Sequence, residues 1–447
     1  MDERARHTLL SLSGAVLLTL PWVLVWATGA VDALSTVAQV VVSGAAVLGA
    51  SFLLAWGAET AERDVPRAFA LAVLAVLAVA PEYAVDALYA WQAGADPANV
   101  EAANLAVANM TGANRILIGL GWSLIALFSI YRARTSDDPA VDRGDSWLSS
   151  AVELDPTIST EILFLSLATV YAFFVPVAVT LGAANAPAMG IDGLDMVVLV
   201  GLYATYIFVI VQGGVDDETE HVGVPAYLQE FDRPIRVSIV LTAFAFSGFL
   251  IFTAVEPFAH GLEVLGESVG VPSFFMIQWI APLASESPEL IVTAYLVNKA
   301  RSTAAFNALI SSKLNQWTLL VGTLVFVYSL ALGRYGVLPF AEKQALEIWL
   351  TAAQSFFALA ILVNFRISVG ESVALLVLFV TQVVAEFAII RLAAHPEPLS
   401  HQLLLGYTVV YLVVGAMLFV RRSDDVQALV RTSWRHYRGR PLDRESR

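Results

Sequence analysis

Apolar residues gather along this chain into twelve runs near the ~20 residues needed to cross a hydrocarbon core. They cover roughly residues 9–28, 35–57, 67–92, 101–131, 158–184 and 192–212 in the first half. In the second half they cover roughly 236–258, 273–297, 303–333, 345–364, 370–390 and 402–420. The pattern predicts an all-α polytopic membrane protein of about 12 spanning helices. The most polar interior stretch, Gly213 to Pro234, reads as an acidic cytoplasmic linker between halves, and the tail at 422–447 is basic. The first run ends in small residues, Ala27-Thr28-Gly29-Ala30, like a cleavage site. It is long for a signal peptide, so a retained helix is expected.

One polar island breaks the eighth run. Ala284-Ser285-Glu286-Ser287-Pro288-Glu289 sets two carboxylates, two hydroxyls and a proline between Ile277–Leu283 and Leu290–Val297. Ionisable groups at membrane depth are expensive and mark partners or a water-filled path. A proline there frees a carbonyl that a neighbour, water or ion must satisfy. The blander alternative is a short soluble turn between half-buried helices, which the apolar flanks on both sides disfavour.

Composition agrees with the runs: the 447 residues are 58% hydrophobic and 14% charged, with mean hydropathy +0.71. A soluble domain of this length carries far more charge. There is no cysteine, so no disulfide or Cys-ligated metal is available. The net charge of −14 sits in loops such as Asp216-Asp217-Glu218-Thr219-Glu220 and reads as solvation. No basic, aromatic-interleaved patch points to nucleic acid. Lysine and arginine collect in alternate loops, at Arg63 and Arg67, Arg132 to Arg143, Arg233 and Arg236, Lys299 and Arg301, Arg366 and the tail. By the positive-inside rule both termini are cytoplasmic, in a protein of the cell membrane. Two bases remain inside predicted spans, Arg115 and Lys313.

The third and fourth spans resemble the eighth and ninth. Ala80-Pro81-Glu82-Tyr83-Ala84-Val85-Asp86 matches Ser287-Pro288-Glu289-Leu290-Ile291-Val292-Thr293, and Asn114 with Gly121 matches Asn315 with Gly322. Five spans separate the copies, an odd number, so they insert with opposite orientation. That is an inverted-topology repeat, with a site expected near the midplane. The predicted organisation is an extra helix at 1–34, a first repeat at 35–212, the linker at 213–234 and a second repeat at 235–391. An extra helix at 392–421 and the tail at 422–447 follow.

These motifs resemble those of the sodium/calcium exchanger superfamily of cation antiporters, G-T-S-x-P-E-L followed by G-N/D-x-x-G-S-N. Pro81-Glu82, Pro288-Glu289 and Ala108-Asn109-Met110-Thr111-Gly112-Ala113-Asn114 carry the likeness over residues ~35–391. The resemblance implies two inverted five-helix repeats and alternating access by a gating pair of helices against an eight-helix core. It also implies calcium bound by Glu82, Glu289 and Asn109, with hydroxyls and carbonyls completing sodium sites. The chemistry agrees, because hard cations take oxygen ligands and two close carboxylates can instead carry protons. Asp86, Ser285, Asn114 and Asn315 join the candidate ion-binding set. Asp86 lies one helical turn past Glu82, and Ser285 offers a hydroxyl.

The departures are as informative. Ala78 and Val79 replace the family's hydroxyls in the first copy, and Ile310, Lys313 and Leu314 depart from it in the second. Glu286 stands at a serine position, three residues from Glu289 on one face. An ammonium at Lys313 would seek Glu289 or Glu286 and occupy the place of a sodium ion in relatives. Arg115 would pair with Asp86 or snorkel to an interface. Gln382 and Glu386, four apart, read as a satisfied pair. The six histidines form no metal-ligand pair at helical spacing, and no nucleophile–base pair suggests an enzyme or a cofactor. The expected function is calcium/cation antiport, with calcium, sodium or protons as transported substrates and the bilayer as the surrounding solvent. Sodium/proton exchange without calcium, and a degenerate, non-transporting membrane protein, stay open beside it. Oligomeric state is not legible.

Overall fold

The structure, a computed structural model, describes residues 3–65, 80–144, 146–177, 189–212 and 223–437. The first half of the expected third span (67–79, with Ala78 and Val79), the end of the fifth (178–184), residues 213–222 of the linker and residues 438–447 of the tail lie outside the described residues.

The helices are α1 (Glu3–Ala27), α2 (Thr36–Ala61), α3 (Ala80–Ala95), α4 (Val100–Ile116) and α5 (Ser123–Arg132). There follow α6 (Ser159–Ala172), α7 (Gly193–Gln212), α8 (Gly223–Leu228), α9 (Arg233–Ser268), α10 (Ser273–Asn298) and α11 (Ser302–Asn315). The last are α12 (Val321–Leu332), α13 (Glu342–Leu362), α14 (Val369–Leu392), α15 (Pro396–Arg421) and α16 (Ser423–Tyr437). Their starts follow local chemistry. Ser35 accepts from the Ala38 amide and Asn99 from the Ala102 amide, which satisfies a donor left open at a helix N-terminus. Ser368 and Glu371 close a reciprocal capping box at α14.

Among the described residues, ten helices are long and apolar enough to cross a membrane. The polar residues of α10 keep it outside those ten although it runs 26 residues. Two compact units are distinguished: residues 1–89 with 216–288, and residues 90–215 with 289–447.

In the first unit α2 packs along α9, and α1 packs on α2. Small residues let α2 and α9 approach closely. A Cβ at Gly44 would fall 2.8 Å from the Phe258 ring, and one at Gly261 would fall 2.8 Å from Val40 Cγ2. At one end of this pair Arg236 grips the Asp64 carboxylate with two hydrogen bonds of 2.7 Å. At the other, Tyr89 donates to Glu263 at 2.6 Å.

In the second unit α13 is the central helix, with 89% of its apolar window buried, against 22% for α7, α14 and α15. It packs on α4, α6 and α15. Two small strand sets tie loops together. β1 (Val141–Asp142), β2 (Ala151–Glu153) and β5 (Arg366–Ser368) pair in that order, antiparallel throughout, while β3 (Gly190–Ile191) pairs with β4 (Leu338–Pro339). Each set joins loops that the span count places on one membrane face.

Candidate functional site

The candidate residues fall on α3 and α10 and on the second unit's motif helices, α4 and α11. In the first unit Glu82 and Asp86 lie on α3 at 1% and 0% exposure. On α10, Glu286 is buried, Ser285 is half-buried and its hydroxyl donates to the Pro282 carbonyl at 3.2 Å. Pro282 and Pro288 both sit inside this helix, so the carbonyls four residues earlier, at Gln278 and Ala284, receive no amide proton from them.

In the second unit, α4 and α11 are each followed by a π-helical segment, Leu117–Trp122 and Gln316–Leu320. Such turns shift side-chain phase and gather at functional sites. Asn109, Asn114, Arg115, Lys313 and Asn315 are all buried. Lys313, fully buried, donates to Asn114 Oδ1 at 2.7 Å and to the Asn114 carbonyl at 3.2 Å. Its ammonium also lies 4.5 Å from the centre of the Trp317 ring, a favourable cation–π placement. Asn114 in turn donates to the Met110 carbonyl at 2.8 Å. The sequence offered Lys313 an acid at Glu289 or Glu286; Asn114 is a partner it did not name. The tie links the two motif helices through a charge-assisted bond. Half-buried Glu289 accepts from the Ser312 hydroxyl at 2.8 Å.

Arg115 takes partners that the sequence did not name. It is 1% exposed, so it does not reach an interface, and its guanidinium bonds Glu347 and Gln382. Gln382 donates to Glu386 at 2.9 Å, and Lys343 lies 3.0 Å from that carboxylate. α4, α13 and α14 are thereby joined by a buried network of alternating charge. Glu347, Ser312 and Trp317 were not singled out in the sequence. Glu347 lies inside the tenth apolar run and four residues after Lys343; an acid there was the available signal.

Carboxylates, amides and hydroxyls set inside spanning helices, with two bases held among them, define an integral-membrane ion transporter. The chain belongs to the sodium/calcium exchanger family, whose model matches residues 11–212 and 239–388. It is similar to the H+/Ca2+ exchanger CAX of a crystal structure, at 40% identity and TM-score 0.82, over 96% of this chain and 98% of that one. It shares the fold of native YfkE at 14% identity and TM-score 0.52, over 86% of this chain and 97% of that one. No curated protein sequence matches it.

Proposed function

We propose that this chain is a calcium/cation antiporter of the cell membrane that exchanges calcium for protons, with both termini cytoplasmic. Family membership and the 40% identity to an H+/Ca2+ exchanger support calcium as cargo. The observation that carries proton coupling is Lys313, a buried ammonium anchored to Asn114 and Trp317. A fixed cation there repels a second, mobile one, leaving the carboxylates to alternate between calcium and protons. Glu82 and Glu289 are assigned that exchange, assisted by Asn109, Asp86, Ser285 and Asn315, with Lys313, Glu286 and Arg115 as modulators. Asn114 serves as the anchor of the Lys313 ammonium. No enzymatic chemistry and no resident cofactor enter this reading.

Inverted repeats and twelve spans suit the mechanism. The paired π segments after the two motif helices support the repeat, and the same-face strand pairings support the span parity. The close α2–α9 packing suits a gating pair that moves as one body. Sodium/proton exchange without calcium is the competing reading. Vesicles holding the purified protein decide between them. A proton gradient is expected to drive uptake of labelled calcium and a sodium gradient is not. Sodium uptake without calcium uptake would establish the competitor, and no flux of either ion would leave a non-transporting protein.

A further inference from the structure

Gln278, on α10, is fully buried, and neither its amide oxygen nor its amide nitrogen has a hydrogen-bond partner. An unpaired amide inside a membrane helix is unfavourable unless something outside the protein completes it. The backbone adds a second oxygen at the same place: Pro282, four residues on, has no N–H to offer the Gln278 carbonyl. Helical phase is the third observation. Residues i, i+4, i+7 and i+11 share one face, so Gln278, Pro282, Ser285 and Glu289 form one line along α10. Ser285 lies about 10 Å from Gln278 at 1.5 Å rise per residue. Two carbonyl oxygens, that of the Gln278 amide and that of its backbone, thus lie on the helix face that carries Ser285 and Glu289, two turns towards the Ser273 end. Neutral carbonyl oxygens are ligands for a hard cation that has shed part of its water.

We propose that Gln278 is a way-station for the transported divalent cation, a neutral-oxygen subsite through which calcium passes between the Ser273 end of α10 and the acids beyond Ser285. A neutral site suits that place, since it shares in dehydrating the ion without holding it as a carboxylate would. The inference rests on the calcium-antiport reading.

The test uses the full chain in vesicles, with calcium offered from either side. Gln278→Met keeps the side-chain length and removes both polar ends. It is expected to fold at least as well as wild type, because an unpaired amide leaves an apolar setting. It should raise the half-saturating calcium concentration about tenfold from the side served by the Ser273 end, the loss of roughly one ligand, with little change from the other side. Gln278→Glu, a second variant of the same size, should lower that concentration several-fold as the pH is raised. Half-saturation unchanged in both variants, or shifted equally from both sides, overturns the way-station. Absence of calcium uptake by wild-type vesicles overturns the antiport reading and the way-station with it.

Discussion

Replacing Arg115 by methionine removes the guanidinium from Glu347 and Gln382 while filling much of its volume. The Arg115 and Glu347 side chains are each 2% exposed, so solvent cannot take over either charge. Removing one partner of a buried pair costs about 3–5 kcal/mol, mostly from the charge left behind. Replacing both with apolar groups is far cheaper, because no isolated carboxylate remains. The double variant Arg115→Met/Glu347→Leu is therefore expected to recover all but about 1–2 kcal/mol, the remainder being the bond lost at Gln382. A double-mutant cycle by denaturation in mixed micelles should then return a coupling energy of about 4 kcal/mol or more. Single variants each within about 1 kcal/mol of wild type, with coupling near zero, would refute the view that this network clamps α4 to α13 and α14.

Three further outcomes follow from the same geometry. The Arg236 hydrogen bonds, aided by the charges of Arg236, Arg233 and Arg63, outweigh burial and hold the Asp64 carboxyl below its ordinary value of 3.8. Its contribution is therefore complete above that value and lost as pH falls through the depressed one. Asp64→Asn should destabilise the protein at pH 7, and the gap from wild type should begin to narrow below pH 3.8 and close only below the depressed value in unfolding curves; a gap that never narrows with acid would contradict the pair. Lys313→Gly removes the tethered cation, so sodium should begin to compete with calcium uptake; unchanged indifference to sodium would count against the role given to the ammonium. Ser312→Ala frees the Glu289 carboxylate from its 2.8 Å bond. It should change half-saturating calcium by about ten- to 100-fold, the worth of a hydrogen bond to a charged group, and no change would remove Ser312 from the site.

Much of the fold was legible because burial in lipid imposes long apolar runs. Ten of the twelve runs coincide with helices of spanning length, and the eighth is α10, interrupted only in composition. The boundaries of α2 and α14 follow from Ser35 and Ser368, ordinary capping signals. The π segments were not legible, since Leu117–Trp122 and Gln316–Leu320 carry no residue type that demands an extra residue in the turn. Partner choice was the other gap. Charge arithmetic offered Lys313 a carboxylate and gave no sign of the amide and the aromatic face, 199 and four residues away, that its ammonium meets. Arg115 likewise finds Glu347, 232 residues on, a pairing fixed by how helices pack and invisible to local spacing. Gln278 was overlooked because a single amide in an apolar run differs little from a satisfied core residue until its surroundings are known.

The role of Glu289 in calcium/proton exchange can be read from calcium uptake driven by a proton gradient, compared between wild type and Glu289→Gln in the same vesicles. Wild-type uptake should collapse when the gradient is dissipated, and the variant, with its charge removed at constant size, should lose about 100-fold or more, the worth of roughly 2.7 kcal/mol. Gradient-driven uptake that survives intact in Glu289→Gln would contradict the account.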